Sequence, residues 1–263
     1  MSKTAAVTGA TTGIGAAYAR RLAGEGYNLV ITGRRKEIIQ KMADDLSRQY
    51  GIKVDVIIAE LSNDSDSQKL IDVVKTREDI EMLINNAGYS GYARHFEEID
   101  VAEHEKMVKV HQIIPMRLIS VIVPGMIKRG RGNIINVSSI GAFLSLPSCS
   151  TYCGTKAFLK SYSQSLYLEL KDKGIRVQVL CPGFTLTDFA KNYYSKELYD
   201  ETMKKSKRMA MTPEKVVDYS LNCLKKNKLV CVPGLSNKLM VNLLQPLPAG
   251  IYSSLLARMT AWK

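Results

Sequence analysis

A doubly wound parallel α/β sheet of about seven strands, with helices on both faces, is the fold class that this sequence predicts. Three observations carry the prediction. Short apolar runs alternate with amphipathic helical runs from Thr4 to Leu180, and such β-α-β alternation requires a parallel sheet covered by helices. Gly9-x-x-x-Gly13-x-Gly15 falls between the first apolar run and the first helical one, the context in which a glycine pattern carries meaning. The chain of 263 residues is 46% hydrophobic and 24% charged, the length and composition of a globular protein with one large core. No repeat, low-complexity tract or linker divides it, so residues 1–263 read as a single domain.

Taken in order, Thr4–Thr8 is a first strand, and Ala16–Ala23 carries the apolar period of a helix that Gly24-Glu25-Gly26 ends. Tyr27–Thr32 is the second strand. Lys36–Tyr50 is the second helix, with Ile38, Ile39, Met42, Ala43, Leu46 and Tyr50 as its inner face. Lys53–Ala59 is the third strand, and Asn63-Asp64-Ser65 caps a helix bearing Leu70, Ile71, Val73 and Val74. Ile80–Ile84 leads into Asn85-Asn86-Ala87-Gly88, and a long helix runs from about His104 to Lys128. Asn133–Val137, a helix over Thr151–Lys171 and Ile175–Leu180 complete the regular part. Thr212-Pro213-Glu214 starts a helix to about Lys226, and Leu229–Val232 is the seventh strand. Residues 238–263 alternate apolar clusters with Pro246 and Pro248. They read as a C-terminal extension of two short amphipathic helices, expected to cover the core or a subunit interface, with membrane contact the less favoured use.

The bulk figures narrow the classes of function. The five cysteines contain no Cys-x-x-Cys pair and the three histidines have no zinc-ligand rhythm, so neither a disulfide framework nor a metal site is expected. No signal-peptide pattern precedes Thr4 and no apolar run reaches membrane-spanning length, which places the chain in the cytoplasm. The formal charge of +12 points to an anionic cofactor or partner. No aromatic–basic stripe accompanies it, so nucleic acid is not expected.

Glycines at 9, 13 and 15 let the chain turn sharply and let backbone N–H groups approach a pyrophosphate at a helix N-terminus. No Gly-Lys-Ser/Thr follows, so this is not a nucleoside-triphosphate loop. The second strand ends in Gly33-Arg34-Arg35, with no acid before Glu37. An arginine fork suits a 2′-phosphate and an acid would repel it, so NADP (NADPH) is the expected cofactor. Further on, Tyr152 and Lys156 are four apart in a helix and share a face. A phenol titrates near pH ~10, and a neighbouring cation lowers that value and makes it useful in proton transfer.

Together these motifs resemble the short-chain dehydrogenase/reductase family in its shorter single-domain branch, similar to ketoacyl and hydroxysteroid reductases, over roughly Lys3 to Asp188. The fold so implied is Rossmann-like. Thr8-Gly9-x-Thr11-x-Gly13-Ile14-Gly15 resembles its cofactor turn and Asn85-Asn86-Ala87-Gly88 its sheet-stabilising turn. Ser139, Tyr152 and Lys156 resemble its catalytic residues, and Pro182-Gly183-Phe184-Thr185-Leu186-Thr187 its nicotinamide-side loop. The resemblance implies Tyr152 as general acid and base, Ser139 on the substrate oxygen, and Lys156 on the tyrosine and the nicotinamide ribose. It implies Asn86, Ala87 and Gly88 beside the adenosine ribose, Glu60-Leu61 near the adenine, and Thr185 and Thr187 at the carboxamide. It selects Ser139 over Ser138, and strand alternation sends the two to opposite sides.

Two positions depart from the family pattern. Glu60 replaces the usual shorter acid, and His111 stands where the family carries an asparagine in its proton relay. Pro115 has no N–H, so the carbonyl of residue 111 lacks its helical partner and can still hold a water whatever the side chain. His111 is also expected to titrate near neutral pH and alter the pH profile. Phe189, Tyr193, Tyr194, Tyr199, Met203, Met209 and Met211 are candidates for an apolar substrate lid, and Lys204-Lys205-x-Lys207-Arg208 for an anion-attracting patch. The reading is an NADP-dependent oxidoreductase for an apolar ketone or secondary alcohol, acting as a homo-dimer or homo-tetramer. The alternative is a dinucleotide-binding regulator with little or no turnover.

Overall fold

Successive side chains of a strand point to opposite faces, and a strand apolar on both belongs inside a sheet covered on both sides. The computed structural model describes residues 3–90, 95–190, 210–248, 250–252 and 254. Its sheet has seven strands in the order β3-β2-β1-β4-β5-β6-β7, all paired in parallel. These are β1 (Thr4–Val7), β2 (Asn28–Gly33), β3 (Val54–Ile58), β4 (Ile80–Asn85), β5 (Gly132–Val137), β6 (Ile175–Leu180) and β7 (Val230–Cys231).

The strand period sorts the core into two layers. Ala5, Val7, Leu29, Ile31, Met82, Ile84 and Ile135 face one layer, which α1 (Gly13–Gly24), α2 (Lys36–Tyr50) and α7 (Pro213–Lys225) cover. Ala6, Val30, Leu83 and Ile134 face the other, under α3 (Asp64–Lys75), α5 (Ile114–Arg129) and α6 (Ser150–Leu170). The helix starts follow side-chain capping. Asn63 accepts from the Asp66 N–H, and Thr212 caps α7 with Pro213 at its first position. On α2, Ile39, Met42, Ala43 and Leu46 are buried as expected, whereas Ile38 and Tyr50 are 46% and 40% exposed. Those two lie at the margins of a stripe that has room for four residues.

The long helix after β4 is not uniform. It consists of α4 (Val101–Val108), a π-helical turn (Lys109–Ile113) and α5. Its 29 residues, Val101–Arg129, are long and apolar enough to cross a membrane by length and composition, contrary to the expectation that no such run exists. Ile114, Leu118, Ile122 and Met126 are buried beneath the sheet, so its apolar face belongs to the core. The C-terminal extension begins with α8 (Leu235–Leu244), which buries Asn237, Val241 and Leu244 and leaves Leu235, Leu239 and Leu243 outside. The proposed lid residues from Tyr193 to Met209, and the basic run at 204–208, lie outside the described residues.

Candidate active site

In an open parallel sheet, ligands bind beyond the carboxyl ends of the strands where the strand order reverses. Here that point lies between β1 and β4. The glycine turn follows β1, Asn86–Gly88 follows β4, Ser138-Ser139 follows β5, and Pro182–Thr187 follows β6. Sheet topology therefore gathers motifs that are up to 178 residues apart in the chain, from Gly9 to Thr187.

Gly9 and Gly13 have φ of 66° and 60°, the left-handed region that glycine adopts without strain. A Cβ on Gly9 would stand 2.8 Å from the Ala87 Cα. Asn86 Nδ2 donates to the carbonyls of Thr8 at 2.9 Å and Gly9 at 3.0 Å. Thr8 Oγ1 accepts from the N–H groups of Asn86 at 2.9 Å and Ala87 at 3.0 Å. The Asn86 side chain thus holds the turn itself. Ile14 packs on the first core layer, and Thr11 and Gly15 complete the turn against Gly33 and Gly9. The Thr187 methyl lies 3.0 Å from where a Gly13 Cβ would be, so the loop after β6 meets the glycine turn. Thr185 Oγ1 donates to the Gly183 carbonyl at 3.1 Å, and the Pro182 carbonyl accepts from Ile140 N–H at 3.0 Å.

At the other end of this crevice, Arg34 Nη1 pairs with Glu60 Oε2 at 3.0 Å and Arg35 Nη2 donates to Thr12 Oγ1 at 2.9 Å. Burial raises the Glu60 carboxyl, but bonds from the Ser62 N–H and hydroxyl and from Arg34 outweigh it, so its pKa falls below the ordinary value. Leu61 is buried in the second core layer.

Ser139, Tyr152 and Lys156 converge on one another. Ser139 precedes a short 3-10 turn, Ile140–Phe143, and its Oγ accepts from the Gly141 N–H at 3.0 Å. Ser139 Oγ and the Tyr152 ring meet beside Gly141, 3.4 Å and 3.3 Å from where its Cβ would stand. Ser138 points the other way, is buried, and donates to the Lys156 carbonyl at 2.8 Å, as strand alternation requires. Lys156 is buried, donates from Nζ to the Val137 carbonyl at 3.1 Å, and sits 5.7 Å from the centre of the Tyr152 ring. Burial lowers its pKa to about 8. For Tyr152, burial is the largest influence and pushes the phenol above its ordinary value, while the bond to Ser139 pulls it down. The expected lowering of Tyr152 by Lys156 is thus overruled by burial in this arrangement.

His111 lies in the π turn, where the Ile114 N–H reaches back five residues to the Lys109 carbonyl. Pro115 offers no N–H to the His111 carbonyl, as the sequence requires. The ring is 1% exposed. Its Nε2 accepts the Tyr89 N–H at 3.1 Å, so the ring proton sits on Nδ1 and is donated to Thr155 Oγ1 at 2.9 Å. Thr155 Oγ1 in turn donates to the Tyr152 carbonyl at 2.8 Å. Burial first, and the charge of Lys156 second, hold the His111 pKa well below its ordinary value. Titration near neutral pH is therefore corrected: the ring is a neutral brace between the loop after β4 and α6. Gly88 makes room for it, since a Cβ there would lie 2.9 Å from Nε2.

Sequence reasoning missed Thr155, Tyr89 and a buried chain in which Asn85 donates to Asn136 at 2.9 Å and Asn136 to Ser163 at 2.9 Å. Only Thr155 had a readable signal, three residues from Tyr152 on the same helix face.

A family model described as short chain dehydrogenase matches residues 3–198. The chain belongs to the short-chain dehydrogenase/reductase family. It is 34% identical over 202 residues, 75% of this chain and 64% of that protein, to a very-long-chain 3-oxoacyl-CoA reductase of Anas platyrhynchos. It is 32% identical over 184 residues, 70% of this chain and 56% of that protein, to the inactive hydroxysteroid dehydrogenase-like protein 1 of Homo sapiens. The chain therefore spans less than two thirds of these curated relatives. Among solved structures, a short-chain dehydrogenase from Sphingobium yanoikuyae in complex with NADPH superposes with a TM-score of 0.80 at 28% identity. That match covers 94% of this chain and 97% of the other.

Proposed function

We propose that this protein is an NADP-dependent oxidoreductase that interconverts a ketone and a secondary alcohol. One observation carries the reading: Ser139 Oγ and the Tyr152 ring stand 3.4 Å and 3.3 Å from one point, where a Cβ on Gly141 would be, with buried Lys156 behind them, beside the crevice built by the glycine turn. When bound there, the nicotinamide dinucleotide supplies or accepts the hydride. Gly9, Thr11, Gly13, Ile14 and Gly15 would cradle its pyrophosphate with main-chain N–H groups. Ala87, Gly88, Pro182, Gly183, Thr185 and Thr187 would flank it, and Glu60 with the Leu61 main chain would meet the adenine. The fit rests on the left-handed glycines and on the approach of Thr187 to Gly13.

Tyr152 protonates the substrate oxygen in reduction and takes that proton back in oxidation. Ser139 donates to the same oxygen as charge develops on it. Lys156, held as an ammonium by the Val137 carbonyl, favours the phenolate as Tyr152 gives up its proton. His111 holds the loop after β4 against α6, and its carbonyl offers a water site behind Lys156.

NADP rather than NAD is favoured by Arg34 and Arg35, which bring two guanidinium groups to the end of β2, and by the NADPH in the Sphingobium relative. An apolar substrate is supported by Phe189, 44% exposed, whose ring centre is 6.2 Å from that of Tyr152. The long acyl chain in the avian relative's name points the same way. Cytoplasmic location is part of this reading, supported by cysteines that are all free thiols. So is a homo-dimer or homo-tetramer formed by one 263-residue domain, supported by the exposed apolar Val101 and Leu168 on α4 and α6. The rival reading, a dinucleotide-binding regulator, draws on the inactive human relative. The experiment is NADPH oxidation with a panel of apolar ketones. Wild type turns over, and Tyr152→Phe loses about 10²- to 10⁴-fold in kcat with binding retained. NADPH binding without turnover of any ketone would instead establish the regulator.

A further inference from the structure

An amphipathic helix ordinarily buries its apolar face, and α8 does the reverse. Leu235, Leu239 and Leu243 recur every four residues on one side and are 83%, 58% and 61% exposed. Asn237 is buried on the opposite side, donating to the Pro233 carbonyl at 2.7 Å. Ile251, 59% exposed, carries the apolar surface onward.

The sequence is equally one-sided in charge after Glu214 and Asp218 of α7. The 45 residues from Tyr219 to Lys263 contain Lys225, Lys226, Lys228, Lys238, Arg258 and Lys263 and no Asp or Glu. Those six cations match half of the formal +12 of the chain. Lys225, Lys226 and Lys228 are exposed on the turn at the amino end of β7, the edge strand of the sheet, and α8 follows its carboxyl end, so lysines and leucines lie along one edge of the sheet at its two ends.

We propose that the α8 edge of the protein docks on an anionic phospholipid surface. A leucine ridge enters the acyl boundary while lysines keep their charges at the headgroups, which is the physics of an interfacial helix. Charge decides between this and a second copy of the chain. In a two-fold contact this surface would meet itself and oppose cation with cation. Anionic lipid satisfies the leucines and the lysines together.

Docking here also sets the substrate side of the site against the lipid. Tyr252 Oη accepts the Ser145 N–H at 2.6 Å and donates to the Phe143 carbonyl at 3.2 Å, in the segment that follows Ser139. Asn237 packs directly on Gly183 of the loop after β6. The docking inference does not need the proposed reaction, because its test reads partition and not turnover.

The full-length protein is floated with vesicles of phosphatidylcholine containing about one third phosphatidylserine, and with phosphatidylcholine alone. Binding is expected to the first, about tenfold or more weaker to the second, and to fall as salt rises. Leu235→Ser/Leu239→Ser/Leu243→Ser should lower partition about tenfold or more. Lys225→Gln/Lys226→Gln/Lys228→Gln should do the same through charge alone, at about fivefold per lysine that reaches the headgroups. Both variants should keep the thermal midpoint and NADPH affinity of wild type, since they alter exposed groups. Three results would overturn the proposal: no binding by wild type, equal binding by both variants, or a leucine variant that loses only self-association.

Discussion

Lowering the pH should expose the neutral state of His111 as a stability effect. A ring that stays neutral in the fold but takes a proton near pH ~6.5 once unfolded makes the unfolded state the better proton acceptor. The folded pKa is depressed, so the unfolded chain binds more protons below that unfolded value. Stability is therefore lost as pH falls through about 6.5 and is fully present above it. Between pH 7 and pH 5 the loss from this one group is at most about 2 kcal/mol, from RT ln(1 + 10^1.5) less the small value at pH 7, the limit for a ring that stays neutral in the fold throughout. His111→Gln removes the titrating group and leaves an acceptor for the Tyr89 N–H. Denaturant unfolding of wild type and His111→Gln at pH 5, 6 and 7 is the assay. Carboxylates and the other two histidines are common to both proteins and cancel in the difference. The wild type should lose more than the variant across that range, by up to about 2 kcal/mol. Parallel pH dependence would mean that His111 takes up its proton in the fold, and the assignment of Nε2 as an acceptor would be wrong.

Other outcomes follow from the same geometry. Lys156 is an ammonium below about pH 8 and loses its proton above, so kcat/KM for ketone reduction should decline above that pH; a profile flat to pH ~10 would contradict it. Arg34→Ala should raise the Kd for NADPH by about 10- to 100-fold and leave NADH nearly unchanged, a charge-assisted bond having that worth; equal losses in two fluorescence titrations would remove the NADP assignment. Asn136→Ala breaks the buried Asn85–Asn136–Ser163 chain and should cost about 1–3 kcal/mol in chemical denaturation, with little change in cofactor affinity. An unchanged midpoint would mean that water replaces the lost bonds.

Local pattern carried most of the fold. Strand and helix periods depend on neighbours in the chain, so α2 at Lys36–Tyr50 and β6 at Ile175–Leu180 were readable residue by residue. The glycine turn and the Tyr152–Lys156 pair were readable for the same reason: a tight turn and one helix face are local geometries. The family resemblance selected Ser139 over Ser138, while the two-residue period of a strand sent the two to opposite sides, and the buried Ser138 bond to the Lys156 carbonyl follows from that period.

Burial and long-range partners were decided elsewhere. The proton state of His111 depends on Tyr89, 22 residues away, and on Thr155, 44 residues away, and no spacing rule connects those positions. The balance at Tyr152 turns on desolvation, which belongs to the packed protein and not to its neighbours in the chain. The amide of Asn86 finds its partners on the glycine turn, 77 and 78 residues away, only because the sheet sets β1 beside β4. The leucines of α8 fitted a core helix by periodicity alone. Periodicity tells which residues share a face, and only the packed structure tells whether that face meets the core or stands open.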